Sequence, residues 1–90
     1  MITKDKKCFF CPSTIALEEH HCLHGTANRK KADKYGLTVW LCPYHHRLGK
    51  KAVHNCQETD KILQKYGQQY FLDNIGNMDL WMQEFGKNYL

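Results

Sequence analysis

The stretch EEHHCLHGTANRKKADKYGLTVWLCPYHH, residues 18–46, decides how this chain is read. A histidine pair, His20-His21, closes its first part, and a second pair, His45-His46, closes its end. Cys8 and Cys11 precede the first pair, and Cys42 stands just before the second. Cys8-x2-Cys11 and Cys42-x2-His45 are two half-sites whose short spacing lets both side chains of each reach one tetrahedral ion. Structural zinc is held by such Cys/His sets. Cys42-x3-His46 is also permissible, so the spacing leaves open which histidine of the second pair joins the thiolates.

Ninety residues form one small domain, which buries a smaller fraction of its surface than a mid-sized one and often needs a staple. Five cysteines, an odd number, together with six histidines, read as metal ligands and not as a disulfide framework. Cys22 and Cys56 lack a partner at ligand spacing and read as ordinary cysteines. The N-terminus MITKDKKCFF has no apolar core of a secretory signal, and no apolar run reaches membrane-spanning length. A cytoplasmic location is expected.

Charge is unevenly placed. Residues 1–54 carry ten Lys/Arg against four Asp/Glu, whereas residues 55–90 carry three against five. The Cys/His half is therefore the basic half, which suits an anionic partner, nucleic acid first.

Read along the chain, residues 1–7 are expected to fray, and Cys8 to Pro12 to form a tight knuckle. Thr14 to His21 reads as a strand, with Ile15 and Leu17 alternating with polar neighbours. Gly25 to Gly36 has no apolar period and reads as a loop. Leu37 to Leu41 is short, β-branched and aromatic, hence a strand. Pro43 suits the first turn of a helix carrying His45, His46 and Leu48 and stopping at Gly49. Asn55 and Glu58 have capping-box spacing for a helix to about Asn74. Its expected inner face is Ile62, Leu63, Tyr66, Tyr70 and Phe71, and Gly67 weakens its middle. Asn77 caps a last helix through Phe85, whose Met78, Trp81, Met82 and Phe85 are buried or face a partner.

In this order, Cys-x2-Cys, a His-His doublet, a loop, a strand and Cys-x2-His-His resemble the HNH nuclease superfamily, especially small phage and prophage members. The zinc arrangement is similar to junction resolvases of the endonuclease VII type. The resemblance spans residues 8–54 and implies a small α+β fold: a zinc-braced ββα-metal core, here followed by two C-terminal helices over residues 55–90. It implies structural zinc on Cys8, Cys11, Cys42 and His45. It also implies a catalytic divalent ion (Mn²⁺, Mg²⁺, Ni²⁺ or Co²⁺) on His20, His46 and His54. His21 matches the general base. The family's middle asparagine is displaced, because Leu37 occupies its usual place. Asn28, the only asparagine between the doublets, is the candidate, or else a turn residue bracing the loop. A phage origin would put the protein in the cytoplasm of a bacterial host.

The residues support this chemistry independently. Phosphodiester hydrolysis needs a base with a pKa near neutrality, which histidine has, and a cation to stabilise charge on the phosphate and leaving oxygen. Adjacent residues at a strand end point to opposite faces, so His20 can turn to a metal while His21 aims at a water. Arg29, Lys30, Lys31 and Lys34 can contact DNA phosphates, with Arg29 foremost. Glu18 and Glu19 read either as carboxylates orienting a histidine or as surface residues, and His24 as loop surface. The competing expectations are a zinc-braced nucleic-acid- or protein-binding module without catalysis, and an accessory protein docking through its C-terminal helices. Those helices are also where a homodimer or a larger partner would attach.

Overall fold

The computed structural model describes residues 1–90. Its elements are β1 (Glu18–His21), α1 (Thr26–Tyr35), β2 (Thr38–Leu41), a single π-helical turn (Tyr44–Leu48), α2 (Gln57–Asn74) and α3 (Met78–Phe85). This is a small α+β architecture, a two-stranded antiparallel sheet with α1 between its strands and the other helices after it. His20 pairs with Val39 and His21 with Thr38 across the sheet. The alternation of strand side chains buries His20 and leaves His21 half-buried. One doublet is thereby split between two faces.

β1 is shorter than the strand expected from Thr14, because Ala16 takes a positive φ of 55° and breaks the extended run. The N-terminus is not frayed. Ile2 is buried and its N–H donates to the Thr38 carbonyl, while the Trp40 N–H donates to Thr3 Oγ1. These residues lie along the edge of β2 that β1 leaves open.

The expected loop at Gly25 to Gly36 is instead α1. Only Ala32 of this helix is buried, so no apolar period announces it. Ala, Arg and Lys are strong helix formers whatever their periodicity, and Gly36 ends the run in the left-handed conformation. The Gly36 and Leu37 amides donate back to the carbonyls of Asp33 and Ala32. Tertiary contacts then hold α1 against α3. Tyr35 donates to Glu84 Oε1 at 2.7 Å, Lys31 Nζ donates to the Glu84 carbonyl, and Lys31 and Lys34 each lie 3.8 Å from the Glu84 carboxylate.

The short helix expected after Pro43 is one wide turn, closed by the Gly49 amide donating to the Tyr44 carbonyl. The capping box expected at Asn55 and Glu58 does not form. Cys56 occupies the cap position of α2, and the Asn55 side-chain amide donates to the carbonyls of Arg47 and Gly49. That bond folds the segment after the π turn back onto it.

The inner face of α2 is Leu63, Gly67, Gln68 and Phe71, rotated from the expected one; Ile62 and Tyr66 are about half exposed. Phe71, Trp81 and Phe85 join Leu23, Leu37, Val39 and Leu41 in one apolar cluster, so both halves of the chain share a core. Trp81 and Phe85 enter this core, whereas Met78 and Met82 stay partly exposed. Asn77 caps α3, its Oδ1 accepting from the Leu80 amide. No helix is long and apolar enough to cross a membrane.

Gly67 is a contact, and not merely a weak helical residue. A Cβ there would lie 2.9 Å from the Cβ of Cys22, which is fully buried. Gly→Ala inside a helix ordinarily stabilises by roughly 1 kcal/mol. At this position overpacking reverses the sign, and Gly67→Ala is expected to lower stability by about 1–3 kcal/mol in a thermal or denaturant melt.

The Glu84 carboxyl is held below its ordinary value of 4.5, first by the Tyr35 hydroxyl and then by Lys34 and Lys31. Its contribution to stability is therefore complete above pH 4.5 and is lost as the pH falls through the lowered value. Tyr35→Phe should be less stable than the parent above pH 4.5, with the gap between the two melting curves narrowing in more acid buffer.

Candidate metal centres and the cavity between them

Two clusters of metal-binding side chains flank the π turn, and adjacent residues of that turn enter different clusters. In the first, the side chains of Cys8, Cys11, Cys42 and His45 converge, with all donor atoms within 4.8 Å of one another. Cys11 Sγ lies 3.7 Å from Cys42 Sγ, and His45 Nδ1 lies 3.7 Å from Cys8 Sγ and 3.2 Å from Cys42 Sγ. Tetrahedral zinc with bonds of about 2.0–2.3 Å has donor–donor edges of about 3.3–3.8 Å. The cluster therefore has the spacing of a structural zinc site, and of the two adjacent histidines it contains His45. Burial pushes the Cys8 thiol up, but the backbone amides of Cys42, Phe10 and Cys11 outweigh this and hold it below its ordinary value of 9.0.

Cys22 and Cys56 belong to neither cluster. Burial pushes the Cys22 thiol up to about 12, as expected for an inert packing residue. The Cys56 thiol, at the start of α2, is lowered by hydrogen bonding to Thr59.

The second cluster is His20, His46 and His54, again with donor atoms within 4.8 Å. Their rings stand 4.6–5.3 Å apart between centroids. His46 Nδ1 lies 3.0 Å from Glu18 Oε1, and Arg47 donates to the other oxygen of the same carboxylate at 2.9 Å. A proton on His46 Nδ1 leaves the lone pair on Nε2, which lies 2.9 Å from His54 Nε2. A carboxylate behind a histidine is the usual way to fix the tautomer and ring of a metal ligand. The hydrogen bond from His46 is also the main cause of the lowered Glu18 carboxyl.

His20 is the sharpest feature of the molecule. It is 4% exposed, and its Nε2 is the one buried side-chain nitrogen or oxygen without a hydrogen-bond partner. Burial, reinforced by His46 and His54, depresses its pKa to about 3, so the ring is neutral near pH 7. Burial likewise lowers His54. A buried polar atom left without a partner costs about 1–3 kcal/mol, and a cation would take up the free lone pair.

These residues border a cavity of about 310 Å³ lined also by His21, His24, Arg29 and Arg47. His21 Nε2 lies 2.7 Å from Asp33 Oδ1 on α1, which leaves Nδ1 as its uncommitted nitrogen. His24 is not mere loop surface. It lines the cavity, its Nε2 lies 2.7 Å from Asp60 Oδ1 on α2, and His20, His24 and Asp60 form a further group within ligand reach.

Of the cationic residues expected beside the site, only Arg29 lines this cavity. Lys30 borders a neighbouring groove with Thr26, Arg29 and Asp33. Lys31 and Lys34 reach Glu84 instead. Asn28 turns its amide to the carbonyl of His24 at 2.9 Å, which braces the entry into α1. Glu19 accepts from Thr38 Oγ1 at 2.9 Å. Asp33, Asp60 and Arg47 were not singled out in the sequence. Helical spacing places Asp33 near His21 only once α1 is known to be a helix, and Asp60 arrives from a distant element.

Comparison with protein-family models, with curated proteins and with solved structures gives no match for this chain. The conclusion the coordinates carry is therefore chemical: the chain is a small α+β domain with a Cys3His cluster of zinc-site geometry beside a histidine-lined cavity able to hold a second ion.

The zinc cluster generates a direct test. The purified protein should retain one zinc per chain after mild chelation, with Cys8, Cys11 and Cys42 protected from alkylation. Cys42→Ser, or treatment with a strong chelator, should expose these thiols and abolish the cooperative melt, since zinc binding in such small domains is worth on the order of 10 kcal/mol.

Proposed function

We propose that this protein is a metal-dependent DNA endonuclease of the HNH type, with the phosphodiester bound in the cavity lined by His20, His21 and Arg29. The observation that carries the reading is the buried, neutral His20, whose Nε2 has no hydrogen-bond partner. It lies in a three-histidine group, beside a histidine that a carboxylate orients and an arginine.

The residues divide the work as follows. His20, His46 and His54 would hold the divalent ion, with Glu18 fixing the His46 ring. Their nitrogen donors favour Mn²⁺, Co²⁺ or Ni²⁺ over Mg²⁺. When bound, the ion supplies positive charge to the phosphate and the leaving oxygen. His21 takes the proton of the attacking water at Nδ1, while Asp33 accepts the Nε2–H and stabilises the imidazolium that forms. Arg29 holds a phosphate oxygen, with Lys30 placed to meet the neighbouring phosphate. Lys31 and Lys34 are committed to α3 and are released from this role. Asn28 acts through the backbone it braces. The zinc cluster holds the π turn and with it His46.

A binding module without catalysis accounts for the Cys3His cluster but leaves the second cluster and the His21–Asp33 pair without work. A plasmid assay separates the two. The zinc-loaded protein with added Mn²⁺ should nick supercoiled DNA, and His21→Ala should slow nicking by about 10²–10⁴-fold while zinc content is unchanged. Equal rates in the two proteins would remove His21 as the base. Absence of nicking with every ion tried would leave the binding module.

A further inference from the structure

The π turn has a second face that the proposed chemistry does not use. Tyr44 and Leu48 are among the most exposed large apolar side chains of the molecule, at 64% and 75%. Together with His45, Gly49, Lys50 and Lys51 they line a shallow groove of about 620 Å³. His46 and Arg47, from the same turn, line the histidine cavity. The exposed pair therefore lies within one helical turn of the place where the phosphodiester would bind.

Tyr44 is exposed but not loose. Its ring meets that of His45, a residue of the zinc-type cluster, edge to face at 5.2 Å between centroids. A Cβ at Gly49 would lie 2.8 Å from the Tyr44 carbonyl and 3.0 Å from its ring, so the glycine makes room for the aromatic side chain. These contacts order the ring in advance and so reduce the entropy it would lose on binding.

Charge identifies the occupant. Residues 34–57 contain no Asp or Glu, and Lys50 and Lys51 line the groove beside the tip, whereas Arg47 from the same turn pairs with Glu18. A protein partner recognised through an apolar tip does not require that bias; a polyanion with flat apolar faces does. Stacked bases framed by phosphates have this chemistry.

We propose that Tyr44 and Leu48 form a wedge that enters a base step of bound DNA beside the phosphate to be cut, with Lys50 and Lys51 on the flanking phosphates. The wedge rests on the endonuclease reading for its position along the DNA. It selects DNA whose stacking is already weakened, such as a mismatch or a nick, because the unstacking cost is then smaller.

The test uses the zinc-loaded protein without added catalytic ion, with short duplexes carrying 2-aminopurine in an intact or a mismatched step. Wild type should bind the mismatched duplex more tightly and raise its fluorescence as the base unstacks. Tyr44→Ala/Leu48→Ala should fold normally, since both side chains are exposed. It should bind about tenfold more weakly, lose the mismatch preference and give no fluorescence rise. Tyr44→Phe should retain all three properties. Lys50→Ala/Lys51→Ala should weaken binding to both duplexes alike and flatten the salt dependence. If the double wedge variant binds and brightens as wild type does, the wedge is wrong, whatever the plasmid assay shows. If wild type nicks no plasmid yet brightens the duplex through Tyr44, the wedge stands and the endonuclease reading falls.

Discussion

The convergence of Cys8, Cys11 and Cys42 with His45 Nδ1 is the interaction on which the rest of this structure depends. It closes a segment of about thirty residues and ties the knuckle before β1 to the turn after β2. A chain of 90 residues buries a smaller fraction of its surface than a mid-sized domain, so a crosslink of this kind adds a constraint to a modest core. It is also what makes adjacency useful: with His45 held on one side of the turn, His46 is delivered to the other. One peptide bond thus separates the Cys3His cluster from the histidine-lined cavity. The π turn suits this task, because its i→i+5 closure spreads Tyr44, His45, His46 and Leu48 around a wider circumference, among a zinc-type cluster, a histidine cluster and solvent. Single π turns of this kind are frequent at functional sites.

Around the cavity, carboxylates stand behind histidines three times: Glu18 behind His46, Asp33 behind His21, and Asp60 behind His24. Each comes from a different element, β1, α1 and α2. Of the five histidines lining the cavity, His20 and His54 have no such partner, and His20 is the most deeply buried of all. Burial among other imidazoles holds the His20 ring neutral, its pKa lowered to about 3. On the endonuclease reading, this difference separates the ligand from the base within a single doublet. It also gives the C-terminal helices a part in the site. α2 supplies Asp60, and Glu84 of α3 anchors the helix that carries Asp33 and Arg29.

Residue spacing alone was enough to read the Cys/His half-sites, the placing of His20 and His21 on opposite faces, a strand expected over 37–41 and observed at 38–41, a helix expected from 55 to about 74 and observed at 57–74, and the last helix through Phe85. These are local regularities: ligand spacing of two, strand alternation, a 3.6-residue apolar period and an Asn cap. The adjacency of His45 and His46 left their assignment open, because either can reach an ion bound by Cys42. Backbone curvature at the π turn places His45 with the thiols. α1 was illegible for a different reason. It is held by helix-forming residues, a glycine stop and ion pairs to Glu84, none of which leaves an apolar stripe. Reading it as a loop hid Asp33.

Residue type and spacing are enough to mark the side chains that could ligate a metal and to group most of them in one segment. Tertiary structure decided what surrounds each of them. It put Glu18, Asp33 and Asp60 beside separate histidines, left His20 Nε2 without a partner, turned Lys31 and Lys34 away to Glu84, and left Tyr44 and Leu48 in solvent. Burial and long-range pairing set those environments. Both depend on contacts between residues far apart in the chain, and no local pattern encodes them.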